Sequence, residues 1–351
     1  MSSPLDNRLT QLLGSRYPIL QTGMGWVATP PLVAAASNAG AMGFLAAATI
    51  RPNEVEKEIQ EVKKLTSAPF GVNFLMDAPG ADVISDAIIR QGVAAAGYNR
   101  APKGDLIVKL KEAGVACIPT CGARKHAEKA EQLGADAIIV QGGEGGGHTG
   151  TVPTSLLVSQ CADAVSVPII AAGGFRDGRG LVAALALGAD GIAMGTRFLL
   201  TQESPVPTTT TDRFMNAGVN DVIVTTAIDG LPQRVVLNEL VRALEASGPL
   251  RRLLLAFRNA MALRRQTGAG IGDLLRSGLA MRRNERLTRA QMMMAANAPM
   301  LAKKGMQDGD PVNGYLPSGT VAGVIGDRPS CAELVHRIVT EAQETLEGFS
   351  K

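Results

Sequence analysis

The sequence is poor in aromatic residues, cysteines and charges for its length of 351 residues. Phe, Tyr and Trp make up only 3% of it, so stacking of nucleic-acid bases on aromatic rings is not expected. Four cysteines are too few to hold a chain of this size together as a disulfide scaffold. A charged fraction of 19% excludes a disordered chain or a long coiled coil. A globular protein with an aliphatic core is therefore expected.

Long apolar runs are missing as well. No stretch approaches the ~20 apolar residues that a membrane-spanning helix needs, and residues 1–17 are too polar for a secretory signal. The net charge of +3 is too small to indicate a nucleic-acid partner. We therefore expect a cytoplasmic enzyme that binds neither a membrane nor nucleic acid.

Glycine and aliphatic residues are abundant, with 40 glycines and a hydrophobic fraction of 46%. Short apolar runs without polar alternation are typical of parallel strands covered on both faces. Eight such strands are predicted, at residues 18–21, 42–46, 70–74, 93–97, 115–119, 137–141, 168–172 and 191–194. Amphipathic helices are predicted between them, at residues 52–66, 81–91, 106–113, 124–133 and 178–187.

Eight βα units of about 20–25 residues each would close a parallel (β/α)8 barrel, the TIM barrel. An open doubly wound sheet is the alternative, but the even spacing of short units favours the barrel. Residues 1–200 and 315–351 are assigned to this barrel, whose eighth helix begins at Ser330. Residues 201–314 are predicted to form an inserted, mainly helical and basic subdomain that covers the active site.

The densest chemical signal is the glycine-rich loop Gln141–Gly150, directly after the sixth predicted strand. Barrel enzymes keep catalytic groups at such strand ends, and glycines let a flat ligand lie against bare backbone. His148 projects from this loop and is predicted to be catalytic; the alternative is a surface histidine on a flexible loop. His126 and His336 fall in predicted helices, where a solvated or packed role is expected.

Glycines also follow the first, seventh and eighth predicted strands. Barrels often bind a phosphate between the loops after the last two strands. The candidates for that role are Gly173, Gly174, Gly195 and Thr196, although glycines commonly end barrel strands in any case. Gly23 and Gly25 would let backbone contact a ring, and Asn73 could pair with the edge of a heterocycle or be an ordinary buried amide.

These segments together resemble the nitronate monooxygenase (2-nitropropane dioxygenase) family. The resemblance rests on Gln-Thr-Gly-Met at 21–24, Asn73, the loop Gln141–Gly150, Gly-Gly at 173–174 and Met-Gly-Thr-Arg-Phe at 194–198. It implies an FMN-dependent barrel with an inserted helical domain and FMN at the C-terminal face. It implies that the phosphate and flavin contact Gly23, Met24, Gly25, Asn73, Gln141, Gly145, Gly146, Ala172, Gly173, Gly174, Gly195 and Thr196, with His148 as the base.

The chain departs from some relatives at the end of the fifth predicted strand. They carry a lysine that contacts the cofactor, whereas the matching position here is Thr120. The C-terminal third is similar, more narrowly, to an actinobacterial group of flavin enzymes of steroid breakdown, which desaturate a CoA thioester of the two-ring fragment. The shared segments are 225–230, 294–300 and 318–323. Enoyl-acyl-carrier-protein reductases of the barrel type are a third relative.

The motifs alone do not choose the substrate. A nitro group and a thioester carbonyl both acidify a neighbouring C–H, and imidazole, with an unperturbed pKa of about 6.5, suits the base role for either. Residues 242–304 hold 13 Lys and Arg but only three Asp and Glu, a local net charge of +10. This charge favours a CoA thioester, because arginines bind phosphates well. The candidates are Arg251, Arg252, Arg264, Arg265, Arg282 and Arg283; solvated helix faces are the alternative.

No metal site is expected. Cys117 and Cys121 have poor spacing for zinc, and an ordinary packed thiol is the expected role of Cys121. Glu144 could orient His148 from four residues away, with a solvent-exposed side chain as the default. NADH or NADPH is a candidate electron donor, redox direction and oligomeric state stay open, and a non-catalytic FMN- or phosphate-ligand-binding module is the rival to an enzyme.

Overall fold

The computed structural model describes residues 4–99, 102–248, 254, 257, 261 and 297–349. Eight parallel strands close a barrel in the order β1-β2-β3-β4-β5-β6-β8-β9, which confirms the predicted TIM barrel. The strands are β1 (Ile19–Gln21), β2 (Met42–Ala46), β3 (Gly71–Phe74), β4 (Ala95–Asn99), β5 (Ala116–Cys121), β6 (Ile138–Gln141), β8 (Ile169–Ala172) and β9 (Gly191–Met194). β1 pairs with β9 and so completes the closure.

Helices cover the outside of the barrel. In chain order they are α1 (Arg8–Leu13), α2 (Pro30–Asn38), α3 (Val55–Leu65), α4 (Ala81–Arg90), α5 (Gly104–Glu112), α6 (Arg124–Gln132), α7 (Thr154–Ala162), α8 (Gly178–Ala186) and α9 (Thr196–Leu199). They continue with α10 (Thr208–Met215), α11 (Glu239–Glu245), α12 (Asn297–Met306) and α13 (Cys331–Gly348). None of the helices in the described part of the chain is long and apolar enough to cross a membrane.

Aliphatic side chains fill the barrel, as the low aromatic content predicted. Leu20, Met42, Ile118 and Ile170 belong to one buried cluster, which also contains Leu9 of α1. α1 lies at the N-terminal end of the strands, because the Leu9 side chain approaches the first residue of β9. The opposite, C-terminal end of the barrel is thereby left for a ligand.

The last helix closes the ring of outer helices. α13 begins at Ser330, whose side chain accepts from the Glu333 backbone N–H in a capping box. It packs against α8 on one side and α2 on the other, which is the place of the eighth helix in a barrel. Its buried face consists of Leu334, Val335, Ile338 and Ala342 among others.

A second, smaller sheet crosses the C-terminal end of the barrel. β10 (Val222–Thr225) and β11 (Gln233–Val236) form an antiparallel pair, and β7 (Gly147–His148) pairs with β11. The segment after residue 200 therefore sends a hairpin back to the glycine-rich loop. Most of the predicted helical part of 201–314 lies outside the described residues, so its mainly helical character stays a prediction.

Candidate active site

A cavity of about 370 Å³ lies at the C-terminal ends of the barrel strands. Its volume is within the range of roughly 300–1,000 Å³ that small-molecule sites occupy. It is lined by every residue that the sequence predicted for the site: Gly23, Met24, Gly25, Asn73, Gln141, Gly145, Gly146, His148, Ala172, Gly173, Gly174, Gly195 and Thr196. The barrel thus brings loops from separate parts of the chain into one cavity.

Several of these glycines leave no room for a side chain. A Cβ atom at Gly23 would lie 2.4 Å from the Cβ of Asn73, and one at Gly146 would lie 2.5 Å from the backbone N of Gly319. Such contacts are too short for any real Cβ atom. Glycine at these positions lets neighbouring segments pack closely where they line the cavity.

One end of the cavity, the glycine end, consists of Gly173, Gly174, Gly195 and Thr196. Gly173 and Gly174 have φ angles of 104° and 87°, in the left-handed region that favours glycine. Thr196 begins α9, and its N-cap residue Gly195 has no side chain to cap the first amides. Backbone N–H groups and a hydroxyl are the chemistry that binds a phosphate.

His148 lies on β7, which pairs with β11 so that His148 faces Gln233 across the sheet. This pairing places the imidazole beside Asp229, with 2.9 Å between His148 Nε2 and Asp229 Oδ2. The His148 side chain is 51% exposed, whereas that of Asp229 is only 4% exposed. A half-exposed imidazole is thus in contact with a buried carboxylate. This arrangement suits a group that exchanges a proton with a ligand.

Asp229 is itself held by neighbouring donors. Gln233 Nε2 donates to Asp229 Oδ2, the Tyr315 hydroxyl donates to Gln233 Oε1, and the Leu231 backbone N–H donates to Asp229 Oδ1 at 3.0 Å. Burial, with a smaller contribution from the Asp229 charge, raises the pKa of Tyr315 well above its usual value. Its phenol therefore stays protonated and remains a donor. His148 lines the cavity, and we call it together with Asp229, Gln233 and Tyr315, which lie behind it, the histidine end.

No sequence motif indicated a role for the three residues behind His148. Asp229 belongs to segment 225–230, which is shared with the steroid-breakdown group. This shared segment was the one sequence feature that could have indicated a role for Asp229. Glu144, the predicted orienting carboxylate, has another partner: it accepts from the Thr154 backbone N–H at 2.7 Å and from the Thr154 hydroxyl. Its place in the sequence suggested His148, but the loop turns its side chain towards the start of α7.

Polar side chains lie in the last two residues of β3, β4 and β5. Asn73, Asn99 and Thr120 line the cavity there, and Asn99 was missed by sequence analysis although it ends an apolar strand. Oδ1 of Asn99 is buried and has no hydrogen-bond partner within the described residues. A buried polar atom needs such a partner, so this one fits a donor group on a bound heterocycle.

Behind the glycine end, the buried Arg197 of α9 pairs with Asp327, which lies before α13. The Arg197 side chain is 4% exposed and its Nη2 donates to Asp327 Oδ1 at 2.7 Å. Burial lowers the pKa of Arg197, the Asp327 charge opposes that shift, and the neighbouring Arg337 and Arg176 add to the lowering. The position of Thr196, one residue earlier, therefore depends on a carboxylate contributed by residue 327.

The cysteines are packed thiols. All four are free and buried, and burial raises the pKa of both Cys117 and Cys121 to about 12. Thiols of this kind are poor nucleophiles and poor metal ligands. Across the described ranges no cluster of His, Cys, Asp and Glu could hold a metal ion. The six candidate CoA-binding arginines, Arg251, Arg252, Arg264, Arg265, Arg282 and Arg283, lie outside the described residues.

Comparisons with known proteins show the family of this chain. The nitronate monooxygenase family model matches residues 6–99 and 83–341. A protein of Mycobacterium tuberculosis is 51% identical over 349 residues, and one of Rhodococcus jostii is 50% identical over 347 residues. Both alignments cover 99% of this chain and 98% of the relative. Both relatives are named (3aS,4S,5R,7aS)-5-hydroxy-7a-methyl-1-oxo-octahydro-1H-indene-4-carboxyl-CoA dehydrogenase, in line with the narrower resemblance to the steroid-breakdown group.

The solved structure of FabK from Thermotoga maritima superposes with a TM-score of 0.80 at 31% identity, covering 98% of each chain. The family and its structural neighbours are flavin-dependent oxidoreductases. The match over most of the chain, together with the barrel and its glycine-lined cavity, shows that this chain belongs to the nitronate monooxygenase family.

Proposed function

We propose that this protein is an FMN-dependent dehydrogenase that desaturates a bicyclic CoA thioester of steroid-ring degradation. The observation that carries the reaction class is the position of His148, which lines the same cavity as the glycine end. The substrate class is supported by the two relatives at 50–51% identity along 99% of this chain. Their alignments include residues 201–314, where a protein with another substrate would be expected to diverge.

FMN fits the residues that line the cavity. The N–H groups of Gly173, Gly174 and Gly195 and the Thr196 hydroxyl would hold its phosphate. Gly23, Met24, Gly25, Gln141, Gly145 and Gly146 would lie against the ring, with Asn73 and Asn99 at its polar edges. When bound, the flavin supplies an acceptor for two electrons.

His148 supplies the base. The thioester carbonyl acidifies the hydrogens on the neighbouring carbon, Cα, so a ring nitrogen of His148 can accept one of them as a proton. The electron pair of the Cα–H bond would form the Cα=Cβ double bond, and a bound oxidised flavin would supply the acceptor for the Cβ hydrogen and its two electrons. The substrate would lose two hydrogens in all, one of them as the proton that His148 accepts.

The charge distribution supports a substrate that carries phosphates. The sequence of residues 242–304 has a net charge of +10, and guanidinium groups bind the pyrophosphate and 3′-phosphate of CoA by bidentate hydrogen bonds. We propose that residues 201–314 form an insertion over a barrel made of 1–200 and 315–351, and that this insertion holds the CoA moiety. A CoA thioester as substrate also agrees with the predicted cytoplasmic location.

Two other reactions use the same cavity. A nitro group acidifies Cα as a thioester does, so oxidation of alkyl nitronates is the alternative that the family model favours. Enoyl-thioester reduction is the reverse reaction, in which NADH or NADPH would be the electron donor. Neither alternative uses the positive charge of 242–304 as directly as a CoA-linked dehydrogenase does.

The test is anaerobic reduction of the bound cofactor. Purified protein should be yellow, and mass analysis of the released cofactor should give FMN. Mixing with the indane-carboxyl-CoA named for the relatives should bleach it, whereas the free carboxylic acid, the matched control without CoA, should not. Fast bleaching by an alkyl nitronate alone would favour nitronate oxidation. Colourless protein that cannot be reconstituted with FMN would contradict the enzyme altogether.

A further inference from the structure

The hydrogen bonds of the histidine end converge on the Asp229 carboxylate. The Tyr315 hydroxyl donates to Gln233 Oε1, which orients that amide so that Gln233 Nε2 donates to Asp229 Oδ2. A carboxylate has no hydrogen to donate. The contact of 2.9 Å between Asp229 Oδ2 and His148 Nε2 therefore requires the hydrogen to be on Nε2.

The turn that carries Asp229 is fixed from several sides. The Gly230 backbone N–H donates to Thr226 O at 3.0 Å, and Asn297 Nδ2, from α12, donates to Ile228 O at 3.0 Å. Asn297 and Ile228 are both buried. The carboxylate therefore has little freedom to leave the imidazole, although His148 itself is half-exposed.

The backbone of His148 is also fixed. Gln141 Nε2 donates to His148 O at 2.9 Å, and β7 is in register with β11. The same strand, β11, thus aligns the backbone of His148 and contributes Gln233 to the chain behind its ring. The pairing of β11 with β7 therefore fixes the backbone of His148 and also positions Gln233 behind its ring.

We infer that Asp229 is the positioning residue of His148, and that Gln233 and Tyr315 hold Asp229 in the orientation this requires. The hydrogen on Nε2 leaves Nδ1 as the unprotonated nitrogen that accepts the substrate proton. The buried carboxylate then stabilises the imidazolium that forms. This inference rests on the proposed function for the identity of the substrate, but the tautomer of His148 can be measured without any substrate.

The charged groups around His148 come from three segments. Asp229 contacts the ring directly. Arg234, the next residue after Gln233 on β11, donates to Gly143 O at 2.9 Å and lies near Glu144. Among the described residues, Asp229 is thus the carboxylate in contact with the imidazole, and its exchange for asparagine removes that contact's charge while keeping its size.

Asparagine at 229 cannot satisfy the same partners. Leu231 N–H and Gln233 Nε2 each donate to one carboxylate oxygen, but an asparagine side chain offers one oxygen and one NH2 group. An amide nitrogen turned towards His148 would donate to Nε2 and move the ring hydrogen to Nδ1. Loss of the base through this change of tautomer is the specific consequence of the arrangement.

The first test is 15N NMR of histidine-labelled holoprotein at a pH where the imidazole is neutral. The chain has only three histidines, so His126→Gln and His336→Gln variants assign the His148 signals. We expect hydrogen on Nε2 in the wild type and a shift towards Nδ1 in Asp229→Asn. Asp221→Asn, in the same segment but exposed and bonded to Gly218 N–H, is the matched control and should leave the tautomer unchanged.

The second test isolates proton transfer from electron transfer. With the flavin kept reduced under anaerobic D2O, no hydride can be accepted, so exchange of the Cα hydrogen of the indane-carboxyl-CoA reports the base alone. We expect Asp229→Asn to slow exchange about 10²-fold or more, since general-base catalysis and the tautomer behind it contribute about this much. Tyr315→Phe, two hydrogen bonds away, should slow exchange by less than about 10-fold and guards against misfolding of Asp229→Asn.

The outcomes separate the two proposals. If wild-type protein exchanges nitroethane but not the acyl-CoA, the proposed substrate is wrong and the same variant series on nitroethane decides the role of Asp229. Hydrogen on Nδ1 in the wild type, or exchange in Asp229→Asn within about 3-fold of wild type, would overturn the inference. A residue that acts through His148 has no effect once His148 is gone. The inference would therefore also be overturned if adding Asp229→Asn to His148→Ala slowed exchange by the same factor as Asp229→Asn does in the wild type.

Discussion

The two ends of the cavity are built in different ways. The glycine end, Gly173, Gly174, Gly195 and Thr196, presents backbone groups from loops after neighbouring barrel strands, β8 and β9. The histidine end, His148, Asp229, Gln233 and Tyr315, presents side chains from three distant parts of the chain. The proposed cofactor binding would thus rely on local backbone geometry, whereas the orientation of His148 depends on contacts with the 222–236 hairpin.

Substitutions at the two ends of the cavity are also expected to have different effects. At Gly173 of the glycine end an added methyl group would lie too close to Thr154 Oγ1 and Gly145 N, so the expected damage is steric and falls on the cofactor. At the histidine end the volumes can be kept while a hydrogen or a charge is changed, so the expected damage falls on the reaction. The predictions below test this division, beginning with the largest effect.

Gly173→Ala is expected to abolish retention of the flavin and, with it, turnover. Gly173 has a φ of 104°, and a Cβ there would lie 2.9 Å from Thr154 Oγ1 and 3.0 Å from Gly145 N. The loop must therefore shift where a phosphate would bind. The measurement is the flavin-to-protein ratio after purification and the Kd for added FMN.

The matched control for that variant is Gly188→Ala. Gly188 has a φ of 91° and a Cβ contact of 2.9 Å with Ala162, so the backbone strain is similar, roughly 1–3 kcal/mol. Gly188 does not line the cavity. Equal loss of flavin in both variants would mean that general instability, not the glycine end, explains the result.

His148→Ala is expected to keep the flavin and lose the reaction. Removing a general base lowers the rate by about 10²–10⁴-fold, which should appear in anaerobic flavin reduction by the acyl-CoA while the flavin content stays near one per chain. His336→Ala is the control, because that histidine is exposed on α13. Loss of flavin from His148→Ala would contradict the division between the two ends.

The difference between the ends explains what could be predicted from the sequence. The glycine end and Gly23 follow directly from the motifs, because each glycine lies within two residues of the end of a strand and the barrel places all strand ends together. The strands were predictable because most of them are continuous apolar runs, such as Met42–Ala46, all of whose residues are buried.

The histidine end was only half predictable. His148 stands out in a glycine-rich loop, but Asp229 lies 81 residues further on and contacts it through a strand pairing that no local pattern encodes. Glu144 was the nearer carboxylate in sequence, yet it bonds Thr154. Proximity in sequence is a poor guide when the partner lies on a hairpin that pairs with a distant strand.

Asp327→Asn tests whether the glycine end depends on side chains behind it. The change leaves the buried Arg197 without its charged partner beside Arg337 and Arg176, and loss of a hydrogen bond between charged groups costs about 1–3 kcal/mol. We expect a lower Tm and faster release of flavin. Asp308→Asn is the control, because it removes an ion pair whose carboxylate is similarly exposed, 50%, but whose partner Lys303 is more exposed than Arg197. This change should lower the free energy of unfolding by less than about 1 kcal/mol.

Asp177→Asn is expected to have the smallest effect and to depend on pH. Asp177 caps α8 by accepting from Gly180 N–H. Burial alone would raise its pKa, but hydrogen bonds from Arg179, Arg176 and the Gly180 amide lower it to about 2. Because the folded pKa is below the unfolded value of about 3.9, the charge stabilises the fold above pH 4, and this contribution is lost as pH falls towards 2.

The measurement is the free energy of unfolding of wild type and Asp177→Asn at pH 6 and pH 3. Asparagine keeps the helix cap, so only the ion pairs are lost, and the variant should be less stable by at most about 1 kcal/mol at pH 6 and by less at pH 3. Asp177→Ala should add a loss of about 1 kcal/mol for the cap that changes little with pH. Flavin binding should be unchanged in Asp177→Asn, because the carboxylate supports α8 and does not line the cavity. If wild type were more stable than Asp177→Asn by the same free energy of unfolding at both pH values, the Asp177 charge would not be the cause of the difference.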